Sequence, residues 1–486
     1  MKFERQIFTK SYHNSIFHTN EIKQNWLVPL SKNNMLTKHT FEILVLSKPT
    51  ILKLLEQFYT HMTKIQSVGI PLQICGFDLL GSARTGSGKT IAFSIPIIEF
   101  VYTVKWLNQN GSAAIVLSPT RELTLQSYYV IRDLLTFHSY SYGILMGGAN
   151  KGTEEKKIKQ GIAIIIATPG RLLDHLKGNK NFLFSNLQLL VIDEADRCLE
   201  IGFEEEMYEI LKILPKNRQT ILLSATQTKN VENLSRISFK KKPIYIGVDD
   251  LLETNSIPDI DQNFLVCKPE DRFILLISLL KKKKGCKIIV FFSSCNEVKF
   301  FSNLSRLIGI NVLDLHGKQK QFKRTSTFFE FCKGKNSILF CTDIASRGLD
   351  IPSVDWIFQV DAPLEPKEYF HRVGRTCRGI NCTGKSLIFL LPSEINFLKF
   401  LKRKKIIINE YKFRVQNWSA VHHKISRIVG QNYYLNKLSK AAFKSFLNSY
   451  SSSNLKEIFD LKKLNLKLIS KNFGLLTYSN LSFKLE

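Results

Sequence analysis

The segment ARTGSGKT (83–90) has the residue types and spacing of a phosphate cradle. It follows the short apolar stretch Phe77–Leu80 and precedes the helix-compatible run IAFSIPIIEF. Small residues let the backbone N–H groups of Ala83, Arg84, Thr85, Gly86, Ser87 and Gly88 crowd around phosphate oxygens. The N-terminus of the following helix adds partial positive charge. Lys89 would reach the β/γ-phosphates, and the Thr90 hydroxyl would ligate Mg²⁺. The generic loop has Gly where this chain has Ala83. Further along, VIDEAD (191–196) ends an apolar run in carboxylates. A buried strand delivers such groups at its C-terminal edge, where α/β sheets bind ligands. Asp193 is suited to hold Mg²⁺, through water, and Glu194 to act as base or positioner for an attacking water.

These groups need a scaffold that lines up strand ends. Short apolar runs bounded by Gly, Ser, Thr or Asp recur at 113–120, 162–170, 187–196 and 219–226, with helix-compatible segments between them, such as Glu122–Phe137 and Phe203–Leu214. Each run is apolar on both faces, as in a parallel sheet covered by helices. The alternation predicts a doubly wound α/β domain. The rhythm breaks in the acidic, Pro-containing stretch 246–262 and resumes with runs at 287–294, 311–317, 337–345, 354–361 and 385–392. The expected organisation is an N-terminal segment (1–40), a first α/β domain (41–245), a linker (246–262), a second α/β domain (263–405) and a helical C-terminal extension (406–486).

The 486 residues carry 69 Lys+Arg against 41 Asp+Glu, a net charge of +28, which points to a polyanionic partner without choosing among RNA, DNA and a membrane surface. At 44% hydrophobic residues the chain is too apolar to be disordered. The opening residues MKFERQIFTK lack an apolar signal core, which argues against secretion, and no apolar run approaches the roughly 18 residues of a membrane span. The nine cysteines form no CxxC pair, so neither a zinc site nor a disulfide framework is expected. Residues 401–486 hold 17 Lys+Arg against 4 Asp+Glu, so nearly half of the net charge lies in the last 86 residues. The extension is read as an auxiliary gripping surface for that polyanion.

Taken together, ARTGSGKT, PTREL (119–123), TPGR (168–171), DEAD (193–196), SAT (224–226) and HRVGRTCR (371–378) resemble, in order and spacing, the motif series of DEAD-box ATP-dependent RNA helicases. The resemblance implies two RecA-like domains with ATP between them. Gln66 in MTKIQ (62–66) then resembles the adenine-reading glutamine, Tyr59 the aromatic beside the adenine, and Phe41 the isolated upstream aromatic. Phe58 stands where the family usually has Gly, and Met62 where it has Pro. Arg375 and Arg378 match the arginine fingers, Asp350 the residue near the ribose, and Cys377 a position usually Ala or Gly. His371 and Arg372 match residues that couple the site to Asp196, Ser224 and Thr226. The implied RNA contacts are Pro119, Thr120, Arg121, Gly147, Gly148, Thr168, Pro169, Gly170 and Arg171 in the first domain, with Gln321, Arg324, Thr342 and Asp343 in the second. Such contacts read backbone shape and the 2′-OH, not base sequence.

Other segments resemble nucleolar ribosome-assembly members, the "helicase associated with SET" subfamily: residues 147–176, 201–207, 290–300, 316–332, 431–461 and 469–475. This implies a monomeric RNA-dependent ATPase with ATP and Mg²⁺ as cofactors. It would act in the nucleus and nucleolus on precursor ribosomal RNA among pre-ribosomal particle proteins, with no membrane partner. An ATP-gated RNA clamp with a scaffolding role is the alternative, against which Glu194 argues. A DNA-directed motor is disfavoured by the Gln66 and DEAD motifs.

Overall fold

The computed structural model describes residues 36–83, 86–226, 228–247, 260–343, 351, 354–364, 366–376, 384–403, 406–413, 418–453 and 455–475. The chain divides into two compact units, Met1–Thr254 and Asn255–Glu486.

The first unit runs β1 (Leu36–Thr40), α1 (Lys48–Glu56), β2 (His61–Thr63), α2 (Lys64–Ile74), β3 (Leu79–Ser82), α3 (Lys89–Thr103), β4 (Ala114–Leu117), α4 (Arg121–Leu134) and β5 (Tyr142–Leu145). It continues with α5 (Lys151–Lys159), β6 (Ile164–Ala167), α6 (Pro169–Gly178), β7 (Leu189–Ile192), α7 (Ala195–Glu200), α8 (Glu204–Ile213), β8 (Gln219–Ser224), α9 (Lys229–Ser238) and β9 (Ile244–Gly247). Seven of these strands form one parallel sheet in the order β5-β6-β4-β7-β8-β3-β9. The strand period of two divides the core between the faces. Ile115, Leu117 and Ile165 pack into one apolar layer, and Ala114, Val116, Ile164 and Ile166 into the other. All C-terminal strand ends therefore lie along one edge.

The second unit comprises β10 (Ile260–Val266), α10 (Arg272–Lys282), β11 (Ile288–Phe291), α11 (Cys295–Leu307), β12 (Leu313–Leu315), α12 (Gln321–Lys333), β13 (Ile338–Cys341), β14 (Trp356–Gln359), α13 (Pro366–Val373), β15 (Gly384–Leu390), α14 (Asn396–Arg403) and β16 (Asn409–Glu410). Its sheet has the order β12-β13-β11-β14-β15-β10-β16, again parallel. Helices α15 (Ser419–Gln431), α16 (Tyr433–Ser452) and α17 (Leu466–Asn472) follow.

Three boundaries differ from the sequence reading. Residues 36–40, assigned to the N-terminal segment ahead of the first domain, form β1, which pairs antiparallel with β2. The expected linker overlaps the end of β9 and the start of β10, and only 248–259 lie outside the described residues. The extension does not begin at 406, because Asn409–Glu410 add a short edge strand to β10. Nor is the extension a separate body: Val429, Ala442, Phe443 and Phe473 belong to the same apolar core as Phe273, Phe300 and Leu304 of the second domain. The Phe473 ring lies 5.3 Å from Phe301 and 5.7 Å from Phe443.

Among the described residues, seven cysteines are free thiols. No described helix is long and apolar enough to cross a membrane.

Candidate functional site

The first unit's sheet edge divides into two halves. On β3, β7 and β8 lie the residues assigned to nucleotide. The turn ending in Gly88 leads into α3, whose first residue is Lys89. The Lys89 ammonium is buried and donates to the Ala83 carbonyl at 3.0 Å. Gly88 sits at φ +88°, and a Cβ there would come within 2.5 Å of the Gln66 amide nitrogen. Glycine is therefore required by conformation and by close approach.

Gln66 is itself buried in the first turn of α2. Its Oε1 accepts from the Thr63 N–H at 2.8 Å, and its Nε2 donates to the Gly88 carbonyl at 3.1 Å. A Thr-x-x-Gln capping arrangement thus ties the Gln66 motif to the phosphate turn. Each amide atom keeps a further hydrogen-bonding position. Tyr59 is more than a third exposed and follows Phe58, whose φ of +59° explains why glycine suits that place. Phe41 and Met62 are buried in the core, and Thr90 is half-buried.

Asp193 and Glu194 leave the end of β7. Burial pushes the Asp193 carboxyl above its ordinary range, and the Lys89 ammonium partly offsets that. Its Oδ1 accepts from the Glu194 N–H at 3.0 Å. Glu194 is held at φ +48° and ψ +53°, a left-handed conformation uncommon for a side-chain-bearing residue. Strain of this kind collects at functional sites. One turn on, Asp196 Oδ2 accepts from Thr226 N–H at 3.0 Å and from Thr226 Oγ1 at 2.8 Å. Ser224 Oγ donates to the Thr226 carbonyl at 2.7 Å. The coupling residues Asp196, Ser224 and Thr226 thus form one network, and Ala83 N–H donates to the Ser224 carbonyl at 3.2 Å.

The RNA-assigned residues occupy the β5-β6-β4 half. Pro119 precedes Thr120, the N-cap of α4, whose Oγ1 accepts from Leu123 N–H at 3.3 Å. Arg121 opens that helix with its guanidinium over the glycine pair. A Cβ on Gly147 would meet it at 3.1 Å and one on Gly148, at φ +84°, at 2.6 Å. Thr168 and Pro169 start α6, followed by Gly170 and Arg171. Arg171 is turned into the scaffold: it donates to the Ala149 carbonyl at 2.9 Å and lies 3.5 Å from Glu154. Glu154, which the sequence reading missed, also accepts from Met146 N–H at 3.2 Å and lies 2.8 Å from buried His175. It fixes the glycine turn to α6. Its partners come from separate elements, so no linear pattern marks it.

In the second unit Gln321 opens α12, donating to Thr325 Oγ1 at 3.4 Å, with Arg324 one turn along. Thr342 is buried at the end of β13. Asp343 takes a bidentate pair from Arg372, at 2.6 and 2.8 Å. The carboxylate expected to face RNA is therefore engaged by a guanidinium of its own domain. Arg372 also donates to the Asp361 carbonyl at 2.8 Å. Arg375 is fully buried and donates to the His371 carbonyl at 3.3 Å. Arg84, Thr85, Asp350, Cys377 and Arg378 lie outside the described residues.

Comparison with known proteins bears directly on these edges. The family model "DEAD/DEAH box helicase" matches residues 63–234, "Helicase conserved C-terminal domain" matches 271–379, and "ATP-dependent rRNA helicase SPB4-like, C-terminal extension" matches 432–478. The chain is 52% identical over 437 residues to the ATP-dependent RNA helicase HAS1 of Pyricularia oryzae, covering 90% of this chain and 74% of that protein. It is 49% identical to the HAS1 protein of Candida glabrata, covering 90% and 88%. Among solved structures, the DEAD-box helicase Mss116 bound to ssRNA and UDP-BeF matches with a TM-score of 0.80 at 28% identity, over 92% of this chain and 93% of that one. The two sheets are thus tandem RecA-like domains, and the chain belongs to the DEAD-box family of ATP-dependent RNA helicases, alongside the HAS1 proteins.

Proposed function

We propose that this helicase remodels precursor ribosomal RNA during ribosome assembly in the nucleolus, acting as a single chain among pre-ribosomal proteins. The observation that carries this reading is the extension. It is of the type described for rRNA helicases, and its helices share the second domain's core. The HAS1 relatives, over most of their length, support the same reading.

In this reading Gln66 distinguishes adenine with its remaining donor and acceptor positions, with Tyr59 alongside and Asp350 near the ribose. Backbone N–H groups from Ala83 to Gly88 and the Lys89 ammonium hold the phosphates. Burial of Asp193 beside Lys89 leaves a desolvated carboxyl suited to a cation. Asp193 and the Thr90 hydroxyl would hold Mg²⁺, which when bound neutralises phosphate charge. Glu194 takes a proton from water as its oxygen bonds to the γ-phosphorus. The bond to the β–γ bridging oxygen breaks, ADP leaves, and the proton passes to phosphate. Arg375 and Arg378 meet the charge developing on the transferring group. Thr120, Gly147, Gly148, Thr168, Pro169 and Gly170 present backbone to RNA, with Arg121, Gln321, Arg324 and Thr342. Closure around ATP bends one strand, and phosphate release reopens the clamp.

Two experiments test this. Crosslinking the chain to its RNA in cells and sequencing the product should recover precursor ribosomal RNA, and recovery of messenger RNA alone would overturn the substrate assignment. Glu194→Gln should bind ATP and RNA while turnover drops at least about a hundredfold. Normal ribosome maturation in such cells would favour a scaffolding clamp.

A further inference from the structure

Three consecutive residues at the start of α10 are each gripped by a different helix of the extension. Asp271 Oδ1 lies 2.8 Å from His422 Nε2 on α15. The Arg272 guanidinium lies 5.7 Å over the Phe446 ring on α16. Phe273 N–H donates to Asn472 Oδ1 on α17 at 2.8 Å. Such convergence on one turn exceeds what apolar packing alone would produce, since two of the three contacts are polar and directional.

Arg272 is nearly fully buried and carries its charge inward. It donates to Asp361 Oδ1, at the end of β14, at 2.7 Å, and lies 3.5 Å from Glu394. A buried guanidinium is tolerated only when paired this way. Asp361 then faces two ways. Its side chain also accepts from Ser293 N–H at 2.9 Å, and its carbonyl accepts from Arg372 at 2.8 Å. Arg372 sits one helical turn before Arg375, whose N–H donates to the Arg372 carbonyl at 3.2 Å. A continuous polar path runs from the extension through Arg272 and Asp361 to the arginine-bearing turn.

We propose that Arg272, clamped by the extension, is a positioning residue for turnover: by fixing Asp361 it sets Arg372 and the turn that carries Arg375. This rests on the assignment of Arg375 as the group that meets the transferring phosphoryl. Misplacing such a group by a fraction of an ångström slows chemistry without altering ground-state binding, so the extension would serve the ATPase cycle as well as RNA binding.

The test uses the full chain. Arg272→Met should lower kcat of the RNA-stimulated ATPase about tenfold, with ATP KM and RNA affinity within about twofold of the parent. In an Arg375→Ala background the same substitution should cost no further kcat, because both act through one group. An equal further loss, or an unchanged kcat in the folded single variant, would overturn the proposal. Should Arg272→Met fail to fold, Phe446→Leu carries the test. It removes the ring beneath the guanidinium while leaving the ion pairs, and kcat should fall about threefold at constant KM; an unchanged kcat overturns the proposal. Arg375→Ala alone separates the two readings. If it leaves kcat unchanged, the finger assignment fails. If it lowers kcat to a measurable residual rate while Arg272→Met does not slow the parent, only the positioning role fails.

Discussion

Single residues in this protein act mostly by being buried beside the right partner. Lys89 is the case on the nucleotide edge. It holds the Ala83 carbonyl, offsets the burial of Asp193, and is the cation assigned to the β/γ-phosphates. Lys89→Ala should abolish measurable turnover, a loss of at least about a hundredfold. Wild-type ATPase from the purified variant would refute the assignment. Glu297 makes the opposite use of burial. It is the third residue of α11, accepts from Ser293 Oγ at 2.6 Å, and is buried against Asp361. Burial first, and the Asp361 charge second, push its carboxyl well above the usual range. The folded chain therefore keeps a proton that the unfolded chain loses near pH 4.3. That contribution is complete below the unfolded value. It declines as pH rises from there toward the raised folded value, at up to about 1.4 kcal/mol per pH unit. Glu297→Gln mimics the protonated form. Denaturant melts should show parent and variant converging at the acid end and the variant gaining relative stability as pH rises. A constant difference across pH would mean that Glu297 is ionised in the fold.

At the scale of elements, the glycine turn after β5 is the clearest device. Gly147 and Gly148 leave room for the Arg121 guanidinium, and Glu154 ties the same turn to α6. Gly148→Ala combines a strained φ with a Cβ 2.6 Å from Arg121. It should weaken RNA affinity about tenfold, roughly one charge-assisted contact, while nucleotide binding without RNA stays unchanged. Anisotropy titrations with single-stranded RNA and with a fluorescent ATP analogue would read the two separately. Parallel loss of both affinities would show a folding defect instead. Much of this layer was legible in the sequence. Runs such as AAIVL and IAIII are apolar on both faces, which only a doubly covered strand satisfies, so the central strands and the motif ends they carry were readable. Strand β1, LTKHT, has one leucine among polar residues, and β16 is the exposed pair Asn409–Glu410, so neither has a pattern to read. Among site residues, the types and order were legible but the partners were not. Arg171 and Asp343 are engaged with Glu154 and Arg372, and Arg272 meets an acid 89 positions away. A contact at that separation leaves no local trace.

For the whole molecule, the +13 carried by residues 401–486 invites deletion as the test of RNA gripping. The fold makes that deletion a poor instrument. Helices α15, α16 and α17 contribute Val429, Ala442, Phe443 and Phe473 to the second domain's own core, and the last of these packs against Phe301. Cutting after residue 405 also removes His422, Phe446 and Asn472, the extension-side contacts of Asp271, Arg272 and Phe273. The truncated chain should aggregate or lose the second domain's cooperative transition, with the first domain's melt retained. Charge has to be tested with the core left in place. Lys437, Lys440 and Lys444 are exposed on α16, on the face opposite Leu438, Ala442 and Phe446. Replacing all three with Gln removes three charges and little packing. If they grip phosphates, RNA affinity should fall, and the slope of log affinity against log salt should shrink by about 0.7 for each lost contact on a single strand. An unchanged slope with a normal melting curve would assign the extension wholly to the second domain's architecture. The basic excess would then be the solvated face of helices held in place by their apolar side.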